Sequence, residues 1–232
     1  MAKPAFAGED FDLLALLSDA NRRRVLEGSK RVEYPAGTVA FPAGSPGRAF
    51  VLERGLVRVY WAVPDGREAT VAFIHPGNLL GGRNLVPGAS AMRDLALVFV
   101  QVVVDSTLIH LDQDTVRSVA ASEIEVINAI ATQLASRVRY DLRMIAVRSL
   151  GNIPERLAFD LLERACRNQL ASGRLEARAT HADLAASIGS SREVVSRALK
   201  TLRAARIVES SPGRTRVLDP ERLAEIVRTL LI

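Results

Sequence analysis

Two arginines and a glutamate stand close together in the segment 180–200, THADLAASIGSSREVVSRALK. An arginine can donate two parallel hydrogen bonds to O6 and N7 of guanine, and a glutamate can accept one from N4 of cytosine. Serine and lysine side chains can hydrogen-bond to phosphate oxygens. We therefore take Arg192, Glu193 and Arg197 as candidates for reading the edges of DNA bases, with Ser196 and Lys200 beside them.

These side chains fall on the second of two short helices that the sequence predicts. Thr180 and Asp183 have the spacing of a capping box and begin the first helix. Gly189 ends it, because glycine tolerates the positive φ of a helix terminus. Ser190 or Ser191 can cap the second helix, and Ser190 would form a second capping box with the glutamate three residues later. We include Thr180, Ser190 and Ser191 among the predicted DNA contacts.

The second helix is two-sided when it is drawn at about 100° per residue. An ordinary amphipathic helix with a solvated charged face is the alternative to a DNA-reading helix. The two capping signals, the turn glycine and the small Ala185 favour DNA binding. The polar arc collects Arg192, Glu193, Ser196, Arg197, Lys200 and Arg203, and the apolar arc collects Val194, Val195, Ala198, Leu199 and Leu202.

A hairpin follows these helices in the segment IVESSPGRTRVL. The turn residues Pro212 and Gly213 separate two strand-like runs. Arg214 and Arg216 lie next to the turn, where they could contact phosphates. The alternative is a solvated hairpin tip.

Composition restricts the function classes. The chain has 232 residues, 48% of them hydrophobic, enough for one or two globular domains. Its net charge is +5, and from residue 150 onward fourteen Lys and Arg stand against ten Asp and Glu, which favours phosphate binding. The lone Cys166 excludes an intrachain disulfide, a four-cysteine iron–sulfur cluster and a zinc ribbon. Without a leader peptide or a span of about 20 apolar residues, we expect a soluble cytoplasmic protein with no membrane contact.

The hydrophobic pattern and the positions of turn residues divide the sequence into three parts. A helical lead-in over 11–28 and short β-like runs between glycine and proline turns predict a roll or sandwich over 1–121. One long helix is predicted over 122–149, about 42 Å in length. A break at 150–152 opens a third part, 150–232, and we interpret this break as an interdomain hinge.

The long helix carries an apolar seam. A narrow seam on a helix of this length favours pairing with a second copy of the chain. Such a dimer would serve DNA recognition, because a protein that reads a two-fold site needs two helix-turn-helix units about one duplex turn apart. The alternative is a helix packed only on its own β domain. The seam consists of Ile124, Ile127, Ile130, Leu134, Val138, Leu142 and Ile145.

Across nearly its whole length the chain resembles the cyclic-AMP receptor protein and FNR family of bacterial transcription regulators. The runs YPAGTVAFPAG, LVRVY, DGREATVAFIHPGNLLGG and SSREVVSRALKTL carry the likeness. The resemblance implies an α+β fold: an N-terminal cyclic-nucleotide-binding-like β-roll, a long dimerisation helix and a C-terminal winged helix-turn-helix. It also implies a homodimer on near-palindromic double-stranded DNA, with RNA polymerase as a further partner. The family's half-site readers match Arg192, Glu193 and Arg197, and Ser196 matches a serine of the FNR branch, so TGTGA-type and TTGAT-type half-sites both stay open.

The resemblance breaks down at the effector site. The family holds the ribose of cyclic AMP with a glycine–glutamate pair, the phosphate with an arginine–serine pair and adenine with a threonine–serine pair. The corresponding positions here are Gly81 and Gly82, Arg93 and Asp94, and Asp141 and Leu142. A bound nucleotide would leave polar groups unpaired at about 1 to 3 kcal/mol each. We therefore expect that cyclic AMP is not the effector and that the protein has no cofactor.

Several alternatives stay open. Arg83 and Arg93 could form an anion site or could point into water, and control without any small ligand is a further possibility. His75 and His110 could bind haem, as in gas-sensing members of the family. A metal-dependent jelly-roll enzyme needs clustered histidines and a carboxylate, whereas His75, His110 and His181 are widely separated, so we expect no enzymatic activity. The helix pair and hairpin argue against a cyclic-nucleotide sensor that acts on a protein partner.

Overall fold

The computed structural model describes residues 12–41, 48–62, 68–86 and 98–228. Its contacts divide the described chain into two compact units, with the boundary between Asp141 and Leu142. Arg93 lies outside the described residues, so its predicted place in an anion site stays a prediction. No described helix is both long enough and apolar enough to cross a membrane.

The first unit consists of helices at both ends and strands between them. Ser18 caps helix α1 (Asp19–Leu26), which is shorter than the predicted lead-in. A short 3-10 helix (Gly82–Leu85) follows β6, and the unit continues with α2 (Gln113–Ser122) and the first half of α3 (Ile124–Leu150). The described strands are β1 (Lys30–Tyr34), β2 (Val39–Phe41), β3 (Phe50–Arg54), β4 (Val57–Ala62), β5 (Glu68–Ile74), β6 (Leu79–Leu80), β7 (Val98–Val102) and β8 (Ser106–His110).

The strands form two antiparallel sheets, ordered β1-β8-β3-β6 and β2-β7-β4-β5. Alternate residues of both sheets point into one shared apolar core, as expected for strands with one buried face. Phe50, Leu52 and Leu108 come from the first sheet, and Val57 and Val100 from the second. The predicted roll is confirmed.

Helix α3 has two apolar faces where the sequence predicted one seam. Val126, Ala129 and Ile130 are buried in the core that also holds residues of α1 and α2. On the opposite face Val138, Leu142 and Ile145 are 60%, 62% and 63% exposed. The seven-residue seam was therefore wrong in part, because Ile130 is only 1% exposed while Ala131 and Ala135 lie on the exposed face.

The second unit is built on helix α4 (Ile153–Ser172), which follows α3 after Gly151 and Asn152. Asn152 caps α4 in a capping box with Glu155, so the predicted break becomes a defined helix start. Leu157, Leu161 and Cys166 on α4 are fully buried. The remaining elements are β9 (Glu176–Arg178), α5 (His181–Ser187), α6 (Arg192–Ala204), β10 (Val208–Ser211), β11 (Arg214–Val217) and α7 (Pro220–Arg228).

Candidate nucleic-acid interface

Helices α5 and α6 form a helix-turn-helix. The Thr180 backbone N–H donates to the Asp183 carboxylate at 2.8 Å, and the Asp183 N–H donates to the Thr180 hydroxyl at 3.2 Å. These bonds satisfy donors that a helix start leaves unpaired. Gly189 has a φ of +61° and turns the chain between the helices, as the sequence predicted. Leu184 is fully buried and fixes α5 against its own unit.

Helix α6 presents a polar face to solvent. Val195, Leu199 and Leu202 are buried and attach the helix to its unit. Because side chains of a helix diverge by about 100° per residue, the opposite side is left free for contacts outside the unit. The exposed side chains there are Arg192, Glu193, Arg197, Lys200 and Arg203.

The N-terminus of α6 differs from the prediction. Ser191 is the cap and accepts a hydrogen bond from the Val194 N–H at 3.4 Å, so the capping box predicted from Ser190 was wrong. Glu193 is therefore one position too early to complete a box. Its carboxylate instead accepts hydrogen bonds from its own backbone N–H and from the Ser191 hydroxyl, which lower the pKa of Glu193. An ionised carboxylate is an acceptor only, as contact with a base amino group requires.

Three hydroxyl groups predicted to contact DNA lie at or next to helix starts, and two of them are hydrogen-bonded within the protein. The Thr180 hydroxyl donates to Asp183 at 2.7 Å, and the Ser191 hydroxyl bonds to Glu193. A hydroxyl has one proton to donate, so each would have to release its partner to bond to a phosphate. Ser190 lies half-buried in the turn.

Ser196 is paired with His181, which helical spacing did not place at this interface. The ring Nδ1 of His181 lies 2.9 Å from the Ser196 hydroxyl. The two residues are fifteen positions apart, and only the packing of α5 against α6 brings them together. The sequence offered no periodic signal for this contact.

The predicted hairpin is confirmed and gains a third strand. Strands β10 and β11 pair around Gly213, whose φ is +71°, and β9 adds to the other edge of β11. Arg214 and Arg216 are exposed. A groove of about 570 Å³ lies between the hairpin and the helix pair. It is lined by Thr180, His181, Arg192, Arg203, Ser211 and Gly213, among others.

The predicted effector residues that the structure describes lie at the 3-10 helix and on α3. Gly81 has a φ of +78°, and a Cβ there would overlap the Arg48 carbonyl oxygen. Gly82 begins the 3-10 helix and is buried, and as a glycine it supplies no carboxylate. Arg83 is half-buried. Asp141 on α3 forms an ion pair with Arg137 at 2.9 Å, and its predicted place in an effector site stays a prediction.

The space between β5 and α3 is nearly filled. The Phe73 N–H donates to the Tyr140 hydroxyl at 3.2 Å, and the Arg137 guanidinium lies over the Tyr140 ring. A cavity of about 30 Å³ remains beside Leu79 and Gln133. That volume accommodates about one or two water molecules.

The histidines of the first unit are engaged within the protein. His75 is buried. His110 Nε2 lies 3.1 Å from the Tyr34 hydroxyl, and burial, followed by the nearby Arg48 charge, lowers the pKa of His110. Within the described ranges, no three His, Cys, Asp or Glu side chains cluster as a metal site would require.

A β-roll on a long helix, followed by a winged helix-turn-helix with an exposed cationic face, defines a DNA-binding regulator. Residues 31–123 match the cyclic nucleotide-binding domain family, and residues 155–226 match the Crp-like helix-turn-helix domain family. The chain belongs to the cyclic-AMP receptor protein and FNR family of transcription regulators.

Individual relatives agree with this assignment. The cyclic AMP receptor protein of Thermus thermophilus is 31% identical over 194 residues, covering 83% of this chain and 86% of the relative. A CRP-like cAMP-activated global transcriptional regulator of Mycobacterium tuberculosis is 28% identical over 202 residues, covering 85% and 88%. A crystal structure of a crp/fnr family regulator from Eubacterium rectale has a TM-score of 0.56 at 22% identity, covering 94% of this chain and 99% of that one. This last likeness concerns the fold alone.

Proposed function

We propose that the protein binds a near-palindromic DNA site as a homodimer and places one α6 in the major groove of each half-site. The observation that carries this proposal is the division of α6 into a buried apolar side and an exposed side with Arg192, Glu193, Arg197 and Lys200. The exposed side supplies base-edge donors, a base-edge acceptor and phosphate-binding cations along one helix.

The residues of this interface take separate roles. Arg192 and Arg197 donate to guanine, and the ionised Glu193 accepts from a cytosine amino group. Lys200, Ser190 and Arg214 contact phosphates and fix the register of α6 on the duplex. Thr180 and Ser191 contribute chiefly by capping, because their hydroxyl protons are already donated within the protein.

The exposed face of α3 supports the homodimer. Val138, Leu142 and Ile145 are aliphatic, exposed and spaced along one side of the helix. Ala131 and Ala135 extend this face and leave room for close approach of a second helix. Burying such a face against its copy removes apolar surface from water, which stabilises the dimer by about 25 cal/mol for each Å² buried. The same dimer would present two α6 helices to one duplex.

Control by something other than cyclic AMP is also part of the proposal. The relatives from Mycobacterium tuberculosis and Thermus thermophilus carry cyclic AMP in their names. In this chain Gly82 offers no carboxylate for a ribose hydroxyl, and Asp141 is paired with Arg137. Calorimetric titration with cyclic AMP should give no heat of binding at micromolar concentration, with the Thermus thermophilus relative as a positive control. Micromolar binding would overturn this part.

The described chain offers the single buried Cys166, one thiol where an iron–sulfur cluster needs about four ligands, so we propose regulation without such a cluster. We propose that the protein acts on DNA together with RNA polymerase, which would require a cytoplasmic location, and we propose no enzymatic activity.

Selection from a randomised duplex library, followed by titration of the selected site at fixed salt, tests the DNA-binding proposal. We expect a two-fold-related consensus and an affinity about 10³ or more above that for random duplex. Equal affinity for selected and random duplexes would contradict it. Sedimentation of the complex should report two protomers per duplex.

A further inference from the structure

His181 and Ser196 form a side-chain contact at the edge of the groove between α6 and the hairpin. His181 Nδ1 and the Ser196 Oγ are 2.9 Å apart, and both side chains are half-buried. His181 is the first residue of α5, and Ser196 lies just over one turn into α6. The contact therefore joins the two helices of the helix-turn-helix on the side that also holds Arg192 and Arg203.

The backbone of each partner is held in place. At His181, the capping box of Thr180 and Asp183 fixes the start of α5, and the Ser187 hydroxyl bonds to Asp160 at 2.7 Å near its end. At Ser196, the neighbouring Val195 is fully buried. The imidazole is thus presented to the hydroxyl by two anchored helices, which is the condition for a positioning group.

The direction of this hydrogen bond decides what Ser196 offers to DNA. A serine hydroxyl has one proton and two lone pairs. If Nδ1 of His181 carries no proton, Ser196 donates to it and turns lone pairs outward, toward a base amino group. If Nδ1 is protonated, Ser196 accepts from it and its own proton is free for a base acceptor.

We propose that His181 is a positioning residue that sets the orientation of the Ser196 hydroxyl and thereby the base preference at one position of each half-site. The inference rests on the proposed function, in which the exposed side of α6 reads DNA. It adds a specificity determinant on α5, outside the reading helix. His181 acts through Ser196 and need not touch a base.

The test compares His181→Ala, His181→Asn, Ser196→Ala and the His181→Ala/Ser196→Ala double variant. The probe is the duplex selected by the wild-type protein from a randomised library, with every single-base change in one half-site. We expect His181→Ala to weaken binding about fivefold, the size of one net hydrogen bond, and to relax preference at the same position as Ser196→Ala. Asparagine can place a polar atom near the position of Nδ1, so His181→Asn should restore the preference.

The double variant shows whether the two residues act together. If His181 works through Ser196, the double variant should discriminate among bases no worse than Ser196→Ala alone. Thr201→Ala is the matched control, because its hydroxyl is on the same helix but donates to the Arg197 carbonyl at 3.3 Å. This control should leave base preference unchanged.

The outcomes separate this inference from the proposed function. If Ser196→Ala changes base preference and His181→Ala does not, the inference is wrong and the DNA-reading face stands. A loss in His181→Ala that is equal for all sequences, with a salt slope reduced by about one, would make His181 a phosphate contact and would also overturn the inference. If the wild-type protein selects no sequence, both proposals fall.

Discussion

The guanidinium groups of Arg192 and Arg197 are the side chains on which the proposed base reading depends most. Both are exposed on α6. The pKa of the Glu193 carboxyl is lowered mainly by its two hydrogen bonds and, to a smaller extent, by the charges of these two arginines. The three side chains therefore form one charged cluster. A donor–acceptor–donor cluster of this kind can distinguish base pairs in the major groove, where each pair presents its own pattern.

Replacing Arg197 by alanine should lower the affinity for the selected site by about 1 to 3 kcal/mol and relax preference at one base position. The physical reason is the loss of a bidentate contact to guanine. Arg174→Ala is the matched control, since it removes an equal exposed charge from the second unit outside α6. Titrations at fixed salt would contradict the assignment if both variants lost the same affinity for every sequence.

At this scale the sequence could predict faces but not contacts. Helical spacing alone separated Val195, Leu199 and Leu202 from the exposed charges. The pairing of Ser196 with His181 depends on the angle between two helices, which spacing within one helix does not contain. Helix α6 is capped by Ser191 and not by Ser190, so it begins one residue later than a cap at Ser190 would give. The sequence could not decide between the two, because serine is a favoured cap at either position.

The two helices of the reading motif depend on their caps, and the cap of α5 is ionic. Hydrogen bonds from the Thr180 hydroxyl, and then from its backbone N–H, lower the pKa of Asp183. A carboxyl whose pKa is lower in the folded state stabilises that state above its unfolded pKa, about 4. The stabilisation is lost as the pH falls through the folded pKa.

Asp183→Asn should therefore lower the thermal unfolding midpoint at neutral pH, and the difference from the wild type should shrink as the pH falls below about 4 toward the lowered pKa of Asp183 in the folded state. Thr180→Val removes the largest cause of the shift and should reduce this pH dependence as well. A constant difference between Asp183→Asn and the wild type over this pH range would show that the ionised cap is not responsible.

The exposed face of α3 is the proposed dimer interface, and a charge placed there should prevent dimer formation. Leu142→Glu places a charge in the proposed interface, where it would be desolvated without a partner. We expect sedimentation velocity to show a monomer for this variant and a dimer for the wild type. Leu218→Glu is the matched control, because Leu218 is also an exposed leucine, at 48%, and lies outside α3. Dissociation by both variants, or by neither, would count against α3 as the interface.

Elements with a strong hydrophobic pattern were predictable, and those set by pairing were not. The sequence predicted the β-roll as a whole, the wing hairpin and the long helix, and the helix bounds agree to within a few residues. Strand β1, with the sequence KRVEY, has no clear apolar alternation, and its partner β8 defines it through the register Val32↔Leu108. The predicted seam on α3 was wrong in part for a related reason. Hydrophobic spacing along a helix does not show which of its apolar side chains pack into the core of the same unit.

For the whole molecule, the charge distribution and the proposed two-fold symmetry both bear on how it would meet DNA. The net charge of +5 is modest, and the excess of arginines and lysines after residue 150 lies in the unit that carries α6. Such a distribution favours association that weakens with salt but gives no sequence preference. The architecture was predictable from the family resemblance. The sequence motifs occur in the order of the β-roll, the long helix and the helix-turn-helix, and the matched domains follow the same order.

A dimer that joins two α6 helices should also be sensitive to the spacing of its half-sites. Major-groove faces repeat about every 10 to 10.5 base pairs, so inserting about 5 base pairs at the centre of the selected site turns one half-site to the opposite side of the duplex. Two recognition helices fixed in one dimer cannot then engage both, and we expect affinity to fall about 100-fold or more, toward that of a single half-site. The same insertion placed outside the palindrome is the control and should have no effect. Unchanged affinity after the central insertion would mean that each protomer reads its half-site independently, since only a physical link between the two helices makes the distance between half-sites matter.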